Sequence, residues 1–157
     1  MSAATSLERR IVSRDAAETW SLAASLASVA SPGDLVCLWG ELGSGKTQFA
    51  KGFGAGLGVT DTIVSPTFIL MAEYVARLPL FHLDLYRLAD AADALSGGLI
   101  DERQADGVTI VEWPDRLGGV LPAGRLDVSI VGTGDEPRDI VLSATDPAYA
   151  RYVEAAA

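Results

Sequence analysis

LVCLWGELGSGKTQFAKGFGAGL, residues 35–57, decides the fold. Leu35 to Trp39 are apolar without a break, the character of a strand buried on both faces of a sheet. Gly40-Glu41-Leu42-Gly43-Ser44-Gly45-Lys46-Thr47 follows and fits G-x-x-x-x-G-K-[ST]. Lys46 to Leu57 then has the composition of a helix, weakened by Gly52, Gly54 and Gly56, three glycines that point to close packing. The pattern thus lies where its chemistry requires, between a buried strand and a helix. Glycines let the backbone fold back so that successive N–H groups face phosphate oxygens, and the helix adds its positive N-terminal end. The stretch from Glu41 through Leu42, Gly43, Ser44 and Gly45 to Lys46, Thr47 and Gln48 is the expected nucleotide-binding segment. Lys46 is expected to neutralise β- and γ-phosphate charge and to act in catalysis, and Thr47 to offer its hydroxyl to Mg²⁺.

Outward from this loop, Asp15 followed by Glu18 reads as a helix cap, with a helix over residues 16–30 and a turn at Ser31-Pro32-Gly33. Downstream, strands are expected at Phe68 to Val75, Leu80 to Leu85, Val108 to Trp113, Leu126 to Val131 and Asp139 to Ser143, with polar helical residues between about Ala89 and Leu95. Gly132-Thr133-Gly134-Asp135 reads as a hairpin connection. Asp146 before Pro147 is a cap and first turn for a short C-terminal helix. The expected fold is α/β: a P-loop NTPase with a mostly parallel central sheet flanked by helices and additional antiparallel strands, as one domain over residues 1–157.

Composition bounds the function. At 157 residues and 49% hydrophobic, the chain can bury a full core without disulfides or metal. Its single cysteine, Cys37, lies in the buried strand as a reduced core thiol. Glu8, Arg9, Arg10, Arg14 and Asp15 stand where a secretory signal needs an apolar stretch, and the longest uncharged run, Thr19 to Gly33, is broken by Pro32-Gly33. A cytoplasmic protein without a membrane segment is therefore expected. A net charge of −9 repels a phosphate backbone, so strong direct nucleic-acid binding is not expected and any RNA is met through a partner.

A P-loop NTPase also needs an acidic residue at the end of a neighbouring strand to hold magnesium, and a group that orients the nucleophile. Asp84, closing Leu80-Phe81-His82-Leu83-Asp84, and Glu112, closing Val108-Thr109-Ile110-Val111-Glu112, both stand at the carboxyl end of a strand, where ligands bind in open α/β sheets. Spacing does not decide between them, and each could be a solvated strand-end charge. His82 with Asp84 also permits a transition-metal reading, but this is the only histidine and no cysteine cluster accompanies it, so a sheet-facing histidine fits better. Ser65-Pro66-Thr67 forms a short hydroxyl-bearing loop able to reach a γ-phosphate, or an ordinary turn. Trp113 either packs beside the nucleotide or fills a core corner.

Taken together, Gly40 to Thr47, Val64-Ser-Pro-Thr-Phe68, His82-Leu-Asp-Leu-Tyr-Arg-Leu88 and Val111-Glu-Trp-Pro114 resemble the bacterial TsaE (YjeE) family, in order from about Asp34 to Pro122. The resemblance implies the ATPase component of tRNA threonylcarbamoyladenosine biosynthesis, which binds and hydrolyses ATP with Mg²⁺ while docked on TsaD and TsaB, other subunits performing the threonylcarbamoyl chemistry. It implies that Lys46 and Thr47 bind phosphate and Mg²⁺, that Asp84 is the magnesium-linked acid, and that Glu112 and Trp113 belong to the hydrolytic site, with Thr67 in the nucleotide-responsive loop. Two positions depart from the family pattern: Gln48 follows Thr47 where a second threonine is common, and Glu102 takes an aromatic place in the run from Gly98.

Other readings stay open. A small-molecule kinase shares the loop but normally closes an arginine-rich lid, and the arginines after Arg14 are scattered. A GTPase lacks its guanine-reading Asn/Thr-Lys-x-Asp here, since both lysines fall at positions 46 and 51. A nucleotide-gated adaptor, in which the bound state rather than turnover matters, is the non-enzymatic alternative.

Overall fold

The computed structural model describes residues 7–63, 71–86 and 102–156. The Ser65-Pro66-Thr67 loop with Thr67, the helical stretch expected at 89–95 and residues 98–101 lie outside the described residues. Strands β1 (Glu8–Ser13), β2 (Leu35–Trp39), β3 (Met71–Tyr74), β4 (Leu80–Asp84), β5 (Val108–Glu112), β6 (Leu126–Val131) and β7 (Arg138–Ala144) form a seven-stranded sheet in the order β1-β7-β6-β2-β5-β4-β3. β6, β2, β5 and β4 run parallel, while β7, β1 and β3 are joined antiparallel at the two sides. The parallel centre flanked by antiparallel strands matches the expected class, with as many antiparallel ladders as parallel ones.

Helices α1 (Ala16–Ala27) and α2 (Lys46–Leu57) pack against one face of this sheet. Strand alternation sets the faces. Val36, Leu38, Leu80, Val108 and Ile110 join the helices in the main core, and Cys37, Phe81, Leu83 and Val111 point the other way, onto Leu117 of a 3-10 segment at Pro114–Val120. The α1–α2 contact is close because α2 carries no side chain where it crosses α1: a Cβ on Gly52 would stand 2.2 Å from the Trp20 carbonyl oxygen, and one on Gly56 2.4 Å from that of Ala24. Asp15 caps α1 by accepting from the Glu18 backbone N–H at 2.9 Å.

Several details differ from the sequence reading. α1 stops at Ala27, three residues early, where Ser28 turns back on Ser25 through both its backbone N–H and its hydroxyl. β1 is a strand that the composition does not announce. The last helix, α3 (Ala150–Ala155), follows a 3-10 turn at Pro147–Tyr149 whose cap is Asp146, as expected. Its Arg151 and Tyr152 both donate to the buried carboxylate of Asp34, and the Tyr149 hydroxyl accepts from the Leu35 N–H at 2.9 Å, tying the chain's end to the start of β2. No described helix is long and apolar enough to cross a membrane.

Candidate nucleotide-binding site

The loop between β2 and α2 is shaped by its glycines. Gly43 and Gly45 take φ values of 80° and 108°, a left-handed conformation that side chains resist, and nothing stands within 4 Å of where their Cβ atoms would be. Gly45 is the N-cap of α2 and supplies no side-chain cap, and the N–H groups of a helix's first turn are those an anion meets. The loop closes on itself through the Ser44 N–H to the Glu41 carbonyl at 3.1 Å.

Lys46 is folded under this loop and only 5% exposed. Its ammonium donates to the carbonyls of Gly40 at 2.5 Å and Glu41 at 3.0 Å and sits 4.0 Å from the centre of the Trp113 ring. Desolvation lowers its pKa, opposed by the charges of Glu112, Asp84, Asp115 and Glu41. Trp113 is the one described non-glycine residue with positive φ, at 61°, a conformation bulky side chains rarely adopt. The strand expected to reach Trp113 therefore ends at Glu112, and the ring turns over Lys46 with Tyr86 packed 4.9 Å from it.

The acids arrive by register. Asp84 pairs with Glu112 and Glu112 with Leu38 across three parallel strands, so all three side chains share the helix-bearing face at the strands' carboxyl ends. Glu112, 3% exposed, receives the Thr47 hydroxyl at 3.3 and 3.4 Å from its two oxygens, while His82 Nε2 lies 2.6 Å from Oε2. Asp84 is half-buried and accepts from the Tyr86 N–H at 3.1 Å. A cleft of about 310 Å³ gathers Leu42, Gly43, Gly45, Lys46, Thr47, Gln48, Asp84, Tyr86, Glu112 and Trp113. Glu41 contributes its carbonyl to Lys46, and Ser44 turns away from this cleft.

Ser44 instead lines a second cleft of about 320 Å³, which shares Gly45 and Gln48 with the first and is walled by Arg14, Asp15, Ala16, Thr19, Gly134, Asp135, Glu136 and Arg138. Arg138 holds the two sides together, donating to the Ser44 carbonyl at 2.9 Å, to Gly43 at 3.1 Å and to Gly134 at 3.0 Å. Sequence reasoning missed this wall. No local pattern marks Arg14 or Arg138; only the hairpin expected at 132–135 hinted that a distant segment returns beside the loop.

The donor set suits a nucleotide with a hard cation. Oxygens of Thr47, Asp84 and Glu112 are magnesium-type donors, and the open cradle at Gly43 and Gly45 suits phosphate. Among the described residues, no group of three or more His, Cys, Asp or Glu could hold a metal ion. A cation here would need phosphate oxygens or water to complete its shell.

Residues 13–140 match the family described as "Threonylcarbamoyl adenosine biosynthesis protein TsaE". The chain is 41% identical over 138 residues to the tRNA threonylcarbamoyladenosine biosynthesis protein TsaE of Bacillus subtilis, covering 87% of this chain and 86% of that protein. It is 37% identical to the protein of the same name in Treponema pallidum, over 85% of this chain and 99% of that protein. A crystal structure of Bacillus subtilis YdiB superposes with a TM-score of 0.78 at 33% identity, covering 95% of this chain and 93% of that one. With the loop, the sheet order and matches over most of its length in agreement, the chain belongs to the TsaE family of nucleotide-binding P-loop proteins.

Proposed function

We propose that this protein binds ATP with Mg²⁺ and hydrolyses it as the ATPase component of tRNA threonylcarbamoyladenosine synthesis, acting in the cytoplasm with TsaD and TsaB and meeting tRNA only through them. The observation that supports the reading is the Thr47–Glu112 contact beside Lys46, a lysine, a hydroxyl and a carboxylate gathered in one cleft. The N–H groups of Glu41 to Gln48 cradle the phosphates, and the cleft behind Ser44 takes the nucleoside, with Arg14, Gln48 and Arg138 as its polar wall. Thr47 and Asp84 would hold Mg²⁺, which when bound would neutralise phosphate charge. Lys46 compensates charge on the transferred phosphoryl group. Glu112 orients the attacking water and accepts its proton, in a pocket that Trp113 and Tyr86 close. Thr67 belongs to the loop that responds to the γ-phosphate.

The same Thr47–Glu112 contact favours a second assignment, in which Glu112 takes the metal side and Asp84 the water side. Isothermal calorimetry and phosphate release on two variants separate them. Asp84→Asn is expected to weaken Mg²⁺-dependent ATP binding, and Glu112→Gln to leave binding nearly intact while turnover falls by about 10²-fold or more. The reverse pattern exchanges the two roles. Wild-type protein that neither binds ATP nor releases phosphate, alone or with TsaD and TsaB, overturns the ATPase reading.

A further inference from the structure

We infer that His82 is a positioning residue for Glu112: its Nε2–H fixes one carboxylate oxygen, so that the carboxylate stays seated against Thr47. The inference rests on the ATPase reading, in which Glu112 works in the hydrolytic cleft. His82 is fully buried on β4, and its register partner on β5 is Ile110, one pleat before Glu112 on the same face. That step places the imidazole directly beneath the Glu112 carboxylate, with Nε2 and Oε2 2.6 Å apart. Thr47 reaches the same carboxylate from α2, its hydroxyl nearly equidistant from both oxygens. Glu112 is thus held by two elements, the helix that follows the glycine loop and the neighbouring strand.

The other ring nitrogen identifies the tautomer. Among the described residues nothing hydrogen-bonds His82 Nδ1, which is buried. A proton there would be a donor without an acceptor, whereas a proton on Nε2 meets a carboxylate at charge-assisted hydrogen-bond distance. Nε2 is therefore the ring nitrogen that donates to the Glu112 carboxylate. A glutamate without this partner retains other rotamers in which the carboxylate leaves the cleft; with it, one orientation is selected before nucleotide arrives.

The chain has one histidine, so nitrogen-15 spectra of the imidazole report His82 alone. In wild-type protein without nucleotide they are expected to show a protonated Nε2, with its signal moving on Glu112→Gln. In ATPase assays with TsaD and TsaB present, His82→Leu is expected to lower kcat by about 10–100-fold with KM little changed, the range found when an outer partner of a site residue is removed. His82→Gln, whose amide N–H reaches the place of Nε2, restores most of the rate. In a Glu112→Gln background, His82→Leu lowers kcat no further, because the histidine acts through the carboxylate. An unprotonated Nε2, a full rate in folded His82→Leu, or losses that multiply in the double variant would overturn the assignment. Absence of turnover in wild type overturns the ATPase reading instead, and the nucleotide-free spectrum still decides the tautomer.

Discussion

Lys46 carries opposing demands. Its burial disfavours the ammonium and lowers the pKa, while nearby carboxylates and two backbone carbonyls favour it. A lysine whose folded pKa lies below its ordinary 10.5 makes the fold bind fewer protons than the unfolded chain, so this group's contribution to stability improves as pH rises through the folded pKa. Phosphate would reverse the shift, and nucleotide binding near the depressed pKa should take up protons and weaken as pH climbs. Lys46→Ala relieves the desolvation but leaves the Gly40 and Glu41 carbonyls without their donor, opposing effects of about 1–3 kcal/mol each. The variant is therefore expected to fold with a melting temperature near wild type and to show no ATP binding by calorimetry. Retained affinity would remove the lysine from the phosphate site. Cys37 offers a separate test: burial pushes its thiol from 9.0 up to about 12. Because the folded pKa is the higher one, the folded state binds more protons between these values, and stability falls as pH rises through that window. Denaturant titrations of wild type and Cys37→Ala should diverge above pH 9, and a thiol reagent at neutral pH should label Cys37 only as the protein unfolds.

Element packing gives glycine a second role, outside the phosphate loop. Replacing a helical glycine by alanine ordinarily favours the helix by about 1 kcal/mol. At Gly52 and Gly56 the added Cβ would strike backbone carbonyls of α1, at 2.2 and 2.4 Å, which cannot move without separating the helices. Overpacking of about 1–3 kcal/mol or more should win there. At Gly54 the nearest obstacle is Ile63 Cδ1, the tip of a side chain that can rotate. Chemical denaturation should therefore rank Gly52→Ala and Gly56→Ala well below Gly54→Ala; equal midpoints would mean that α1 yields freely. Three glycines in one helix already signalled close packing in the sequence, and β2, α2 and the apolar strands were legible because burial writes itself into their composition. β1 was not: its inward positions are Arg9, Ile11 and Ser13, of which only Ile11 is an apolar residue packed on the core, so the strand shows no apolar alternation in sequence and its ladder to β7 could not be foreseen. The left-handed Trp113 had no signature either, and its ring contacts with Lys46 and Tyr86 exist only in the folded chain. The loop from Gly40 to Thr47 was readable because its residues are contiguous. The Arg138 wall was hidden because its hydrogen bond to Ser44 spans 94 residues.

Across the whole molecule, a cleft fitted for nucleotide sits on a chain of net charge −9, which disfavours direct capture of tRNA. On the proposed reading the output passes to another protein, and the rim of the cleft offers exposed apolar groups for it: Leu42 is 63% exposed and Tyr86 43%. If bound ATP biases this rim in favour of the TsaD–TsaB pair, and acts through Thr67 as the family resemblance implies, the two binding events are linked, and coupling of about 1.4 kcal/mol changes either affinity about tenfold. Reciprocity makes the prediction strict, because TsaD–TsaB must tighten ATP binding by the factor by which ATP tightens TsaD–TsaB binding. Titration of TsaD–TsaB with and without ATP and Mg²⁺, together with ATP titration in the presence and absence of TsaD–TsaB, measures both sides of the cycle. Equal, greater-than-unity factors are expected, with Thr67→Ala lowering both and phosphate release faster in the complex than in the isolated chain. Association that ignores nucleotide would leave the protein a constitutive subunit, and no association would leave a P-loop ATPase without this partner.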